Sequence, residues 1–234
     1  MLKNQTSSFL VPRRERADAL KFSLDSLGLE KNNLEVLVWI DDDDPQLEKY
    51  HNLFDNNSRI KMFIKPRVGY MQFHTMMNYL AEQATGDWLW LWNDDAYMES
   101  PDWYETFIAH ASLASPKEEP LVYTLFTGKN GFPIMSRKYL EIVGHIGGSP
   151  TCDLWTRTVA GRAGIERYIP GIVLTHRKYG HDIKLGDLID NTYNYVETLR
   201  ASHRYFGGRT QATWHAMHVD GNKILDWLSK NNKR

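Results

Sequence analysis

Cysteine is almost missing from this sequence: the 234-residue chain has one, Cys152. No internal disulfide can form, and no thiols are spaced for a structural zinc, so a disulfide-stapled secreted protein is excluded and a cytoplasmic location is expected. Excess charge is missing too. Lys and Arg number 28 against 29 Asp and Glu, so no global field draws the chain to a nucleic-acid backbone or an anionic membrane, and no nucleic-acid partner is expected. Long apolar runs are absent. The start, Met1-Leu2-Lys3-Asn4-Gln5, lacks an apolar signal core, and a stretch such as Trp88 to Trp92 is far too short to span a bilayer, so no integral membrane segment is expected. Gly-rich phosphate loops are absent as well: where Gly-x-Gly-x-x-Gly or a Gly-rich run ending in Lys-Ser/Thr would follow the first strand, Pro12-Arg13-Arg14 stands instead.

What the chain does have is aromatic mass, with eight Trp and twelve Tyr, and that much apolar surface requires a buried core. Four short β-branched or aromatic segments read as buried strands: Ser7 to Val11, Glu35 to Ile40, Ile60 to Ile64 and Trp88 to Trp92. Between the first two, Leu20, Leu24 and Leu27 recur at helical spacing over Ala17 to Leu27. Between the last two, Phe73, Leu80, Ala81 and Ala84 line one face of a helix over Tyr70 to Ala84, ended by Gly86. Strand alternating with helix implies an α/β fold, Rossmann-like, with a mostly parallel central sheet flanked by helices.

Past Pro101 the pattern predicts helices at Asp102 to Leu113 and Ser136 to Val143, a strand at Leu121 to Phe126, and a helical run opening at Asp153-Leu154-Trp155. A last strand follows at Ile172 to Leu174, then a helix from Lys184 to about Phe206, a break at Gly207-Gly208, and a short helix at Asn222 to Leu228. One domain is expected, made of two halves, residues 1–100 and residues 101–234.

Ligands of open parallel sheets gather beyond the carboxyl ends of the strands. Each of the first four predicted strands ends there in polar residues: Pro12 to Arg16, Asp41 to Asp44, Lys65 and Arg67, and Asn93-Asp94-Asp95. The last is the sharpest, because an apolar strand stops abruptly at two carboxylates, whose burial needs a cation or strong donors. Hard oxygen ligands at that point suit Mg²⁺ or Mn²⁺. The same residues also serve as turn formers or helix caps, the alternative reading for Asp94 and Asp95 and for Asp43 and Asp44 before a helix near Pro45. The run Asp41 to Asp44 is no calcium loop, since Gln46 and Asn52 occupy the places of the required Gly and Glu.

In this order the signals resemble the large inverting glycosyltransferase family with the GT-A fold. They are Pro12 with Arg13 and Arg16, Asp41-Asp42, Gly69 and Asn78 about the second helix, and Gly86-Asp87-Trp88 leading to Asn93-Asp94-Asp95. The resemblance covers roughly the first hundred residues. It implies a nucleoside diphosphate sugar donor, UDP-linked by family frequency and bound by residues 1–100, a glycan or other hydroxyl acceptor met by residues 101–234, and Mn²⁺ or Mg²⁺ as cofactor. Carried over, the metal motif has Asp95 in its third place, Asp94 in its middle and Asn93 where the family has Asp. Asp41 or Asp42 would contact the base, and Lys65 or Arg67 would supply the basic group. The resemblance also implies Asp153 as catalytic base, at the head of a helix after Gly147-Gly148-Ser149-Pro150, and His176 as a metal ligand. An N-cap is the alternative role for Asp153, and His181 and Asp182 are alternatives to His176. Trp103, Trp155 and Tyr139 either stack on sugars or fill the core. Two other functions share these features: a sugar nucleotidyltransferase, and a catalytically inactive nucleotide- or glycan-binding module, which Asn93 keeps in play.

Overall fold

The chain alternates strand and helix through its first ninety residues: β1 (Ser7–Arg13), α1 (Ala17–Asp25), β2 (Leu34–Asp41), α2 (Leu47–Phe54), β3 (Ile60–Lys65), a 3₁₀ turn at Tyr70–Gln72 running into α3 (Phe73–Gln83), and β4 (Trp88–Leu91). There follow β5 (Ala96–Met98), α4 (Trp103–Ala111), β6 (Val122–Thr127), β7 (Asn130–Ser136), α5 (Arg137–Val143), α6 (Cys152–Ala163), β8 (Glu166–Tyr168), β9 (Leu174–His176) and α7 (Gln211–Asn231). The structure is a computed structural model that describes residues 5–127, 130–176 and 211–231. The helix expected over Lys184 to Phe206, the Gly207-Gly208 break, His181 and Asp182 lie outside the described residues.

Seven strands form one sheet in the order β3-β2-β1-β4-β7-β6-β8. β3, β2, β1 and β4 are mutually parallel. β7 runs against both of its neighbours, so β6, and β8 parallel to it, point the same way as β4. Six carboxyl ends therefore share one rim. The chain order reverses between β1 and β4, which is where an open α/β sheet leaves a crevice. β5 and β9 make a separate two-stranded ladder, with Ala96 opposite His176.

The period-2 alternation of side chains explains how the sheet is clothed on both faces. In β4, Trp88 and Trp90, with Trp92 just beyond, fall on the face covered by α1, α2 and α4, whereas Leu89 and Leu91 face α3, α5, α6 and α7. Trp90 is packed between Phe9, stacked at 4.7 Å between centroids, and Phe107, edge-on at 4.7 Å. Such ring pairs add about 0.5–1.5 kcal/mol each beyond their area. Trp103, Trp155 and Tyr139 are at most 3 % exposed, so all three are core and none can stack on a sugar.

Four differences from the sequence reading have physical causes. β7 was missed because Gly131 and Pro133 are residues that strands disfavour. Pro133 is tolerated because the β4 ladder ends at the Trp90–Ile134 pair, so no donor is needed beside it. β5 and β8 were missed because three residues carry too little periodicity to see. The last strand is Leu174–His176, shifted by two residues from Ile172 to Leu174, since its register is set by pairing with β5. The short helix at Asn222 to Leu228 is the distal part of the longer α7, where Gly221 reads as a breaker but marks a close crossing: a Cβ there would meet Arg162 Cδ at 2.6 Å. Among the described residues, no helix is long and apolar enough to cross a membrane.

Candidate active site

All four polar clusters expected at the strand ends lie on the one rim. Asp94, just past β4, is almost fully buried, and Arg13 Nη1 lies 3.0 Å from one of its oxygens while Arg16 Nε lies 3.1 Å from the other. Burial pushes the Asp94 carboxyl's pKa up, and the two guanidinium groups pull against that rise. The buried carboxylate is compensated by two arginines from β1 and the turn after it, so Asp94 is committed to holding that turn. It caps no helix, because β5 follows.

Asp95 faces the other way. Its Oδ1 stands 3.0 Å from His176 Nε2, with both side chains mostly buried. The β5–β9 ladder sets this meeting, because Ala96 pairs with His176. The imidazole also rests edge-on against Phe132, 5.3 Å between centroids. Asn93 is half-buried, and its carbonyl accepts from the Ser23 hydroxyl at 3.1 Å and from Ala96 N–H at 3.2 Å. Ser23 in turn accepts from Trp92 Nε1–H at 2.9 Å, so α1 fixes the shape of the Asn93-Asp94-Asp95 turn.

The Asp41 to Asp44 run divides into four environments. Asp41 is 1 % exposed; its Oδ1 accepts from Trp39 Nε1–H at 3.1 Å, while Oδ2 has no hydrogen bond and lies 3.5 Å from Arg14 Nη1. Burial raises the pKa of its carboxyl. Asp42 is exposed, and its N–H donates to the Lys65 carbonyl at 2.8 Å. Asp43 pairs with Arg14, and Arg67 stands 3.5 Å away. Asp44 accepts from Glu15 N–H and Gln46 N–H, both at 2.8 Å. Asp43 and Asp44 thus do not cap α2, whose N-cap is Gln46 with no side-chain cap. Lys65 lies 4.7 Å from the centre of the Tyr79 ring, and half-buried Pro12 pairs across from Trp39.

Several residues that shape this rim were not singled out from sequence. Arg14, 8 % exposed, is the hub joining Glu15, Asp41 and Asp43. Its neighbour Glu15 holds φ 59°, a left-handed conformation strained for a side-chain-bearing residue, fastened by Asp44. α1 lacks a side-chain cap of its own. Instead Tyr50 Oη accepts from Arg16 N–H at 3.1 Å and Gln46 Oε1 accepts from Ala17 N–H at 3.0 Å. These contacts join residues about thirty positions apart, and no local pattern announces them; the Arg-rich cluster itself was the available signal for Arg14.

Asp153 is in the first turn of α6, two residues after the N-cap Thr151, so it is not the cap. α6 leads back into β8, which places its amino end on the same rim. The Asp153 side chain is exposed, yet the protein packed near it strips part of its hydration. That crowding raises its pKa above the ordinary carboxylate value, and Arg157 and His176 are near enough to pull it back down. The loop before α6 is clipped to α3 by Asn78, whose Nδ2–H donates to the Gly147 carbonyl at 2.9 Å and whose Oδ1 accepts from Ile146 N–H at 2.8 Å. Among the described residues, no group of three or more His, Cys, Asp or Glu is placed to hold a metal ion; Asp95 and His176 stand as a pair.

No protein-family model and no curated protein matches the chain. Solved structures do. The mannosyltransferase PcManGT from Pyrobaculum calidifontis, in complex with GDP-Man and Mn²⁺, superposes with a TM-score of 0.55 at 16 % identity, covering 98 % of this chain and 76 % of that one. Residues 1–349 of S. aureus TarS in complex with UDP superpose with a TM-score of 0.50 at 14 % identity, covering 67 % of this chain and 55 % of that one. The fold is GT-A. At these identities the likeness establishes the architecture, and the chain spans three quarters of the first neighbour but only about half of the second. The GT-A crevice at the β1–β4 switch is the rim on which Arg13, Asp41, Asp95 and Asp153 stand.

Proposed function

We propose that this protein is a metal-dependent glycosyltransferase that moves a sugar from a nucleoside diphosphate sugar to a hydroxyl acceptor with inversion. The observation that carries this reading is the Asp95–His176 pair on the GT-A rim with a raised-pKa carboxylate, Asp153, close enough to feel the imidazole. The pair suits a divalent ion. Asp95 and His176, 3.0 Å apart, would hold the ion through one carboxylate oxygen and one imidazole nitrogen. Mn²⁺ or Mg²⁺ held there would neutralise charge on the leaving diphosphate. The neighbour bound to GDP-Man and Mn²⁺ supports that choice of cofactor and donor class.

Residues 1–100 then supply the donor side. Asp41, buried with one oxygen lacking a hydrogen bond, is the better of the two base-reading candidates, since exposed Asp42 has no such unmet demand. A carboxylate there accepts a ring N–H, which uracil and guanine both offer. Arg13 and Arg16 shape the turn through Asp94, while Asn93, Pro12, Lys65 and Arg67 line the diphosphate and ribose side. Residues 101–234 supply the acceptor side. Asp153 takes the acceptor hydroxyl proton as that oxygen bonds to the anomeric carbon, and the bond from that carbon to the diphosphate breaks on the opposite face, its electron pair leaving with the nucleoside diphosphate. A pKa raised above the ordinary carboxylate value strengthens the base.

The test is product analysis with UDP- and GDP-sugars and Mn²⁺: release of the nucleoside diphosphate supports transfer. Release of inorganic diphosphate would indicate a nucleotidyltransferase, and donor binding without turnover an inactive module.

A further inference from the structure

The aromatic residues that the sequence offered for sugar stacking are buried, yet two others stand open on the same rim. Phe126, next to last in β6, is 43 % exposed, and Tyr168, the last residue of β8, is 61 % exposed. Their rings lie 6.0 Å apart at 39°, a shallow open angle and not a closed stack. Large exposed rings side by side on a monomer's surface mark a ligand or partner site more often than chance. Here the neighbours say which kind. Arg157 lays its guanidinium over Phe126, 4.7 Å from the ring centre, and gives its Nε–H to Glu166 at 3.0 Å. Glu166 also accepts from the Thr124 hydroxyl at 2.8 Å. The sheet makes room for this arrangement at Gly131, where a Cβ would come within 3.1 Å of Arg157 Cδ and Nη1.

Apolar ring faces bordered by a fixed guanidinium and a carboxylate match a pyranose, whose C–H face is apolar and whose hydroxyl edge needs both donors and acceptors. A flat apolar peptide would leave the charged pair unused. The platform is continuous with the catalytic rim: Arg157 is four residues after Asp153 on α6, one turn and about 6 Å along the axis. We infer that Tyr168, Phe126 and Arg157 form the acceptor subsite and that the acceptor is a saccharide, its ring stacked chiefly on Tyr168. This rests on the transferase reading above for the word acceptor, but the saccharide subsite is testable without it.

The experiment is saturation-transfer NMR on the full chain with millimolar methyl β-glycosides of glucose, galactose, mannose and N-acetylglucosamine. Ring C–H protons of at least one should receive saturation, reduced about five- to tenfold in Tyr168→Ala and retained in Tyr168→Trp. Gly131→Ala, which crowds Arg157 without touching either ring, should weaken it less. No transfer to any of the four glycosides overturns the subsite, as does transfer unchanged in Tyr168→Ala. Each variant is also melted with UDP and GDP plus Mn²⁺. Glycoside binding lost in Tyr168→Ala with the nucleotide shift intact supports the subsite. Glycoside binding in a protein that no nucleoside diphosphate stabilises leaves the subsite standing and sinks the donor reading.

Discussion

The two sides of the rim are built differently. On the side assigned to the donor, Arg13, Arg14, Arg16 and Arg67 are tied to Asp41, Asp43 and Asp94 by ion pairs, several of them largely buried. On the side assigned to the acceptor, the loop leading to Asp153 is held by an amide clip from Asn78, and the border is made of open rings and one ion pair, Arg157 with Glu166. A charge network holds one geometry, because every partner is costly to leave unmatched. Rings and a hydrogen-bonded loop tolerate variation. The contrast suits a donor of fixed shape and charge facing an acceptor defined mainly by its sugar face.

Breaking the acceptor side at its chemistry should have the largest effect. Asp153→Asn is expected to lower turnover by about 10²–10⁴-fold with nucleotide affinity unchanged. Its effect on stability should be the reverse of a structural residue's. A carboxyl whose folded pKa is raised destabilises the fold above its unfolded pKa, so removing the charge leaves the melting temperature at neutral pH equal or higher. An equal loss of turnover and stability would refute the role.

The donor side should break through folding. Asp94→Ala leaves two guanidinium groups facing a void and is expected to cost about 3–5 kcal/mol in urea unfolding. Asp95→Ala, one residue on, should cost about 1 kcal/mol but abolish the Mn²⁺-dependent part of nucleotide binding. Similar costs for the two would erase the distinction between a structural and a functional carboxylate. Asn78→Ala removes the clip and should cost about 2 kcal/mol, with turnover falling while nucleotide affinity holds.

The smallest effects are in pH. Turnover should rise as pH climbs through the Asp153 pKa, with an acid limb above the ordinary carboxylate range. Asp220 on α7 has the opposite sign: burial alone would raise its pKa, but His145 at 3.2 Å and Lys223 at 2.8 Å outweigh that and hold it low. Its contribution is present above the unfolded value and is lost as pH falls through the folded one. Melting curves of Asp220→Asn and the unaltered protein should therefore converge in acid.

Local pattern carried the chain as far as β4. β1 to β4, α1 and α3 were legible because apolar segments of four to eight residues alternate with amphipathic helices, and the strand ends then placed Arg13, Asp41 and Asp95 on one edge. The pattern could not show which carboxylate does what. Asp94 and Asp95 are adjacent in sequence and point to different partners, and Asp41 differs from Asp42 only by burial. The part after β4 was less legible because β5, β8 and β9 are three residues each and take their register from distant strands. Phe126 and Tyr168 were overlooked for the same reason: exposure on a strand end is a tertiary property, and Trp103, Trp155 and Tyr139 looked equally suitable until packing buried them.

The most direct measurement is a thermal-shift series with UDP and GDP, each with and without Mn²⁺, on the unaltered protein and Asp95→Ala, since a ligand that binds only the native state raises its melting temperature. The account predicts stabilisation by at least one of the two nucleotides that requires Mn²⁺ and disappears in Asp95→Ala. No shift with either nucleotide, or a shift indifferent to Mn²⁺ and to Asp95, would contradict it.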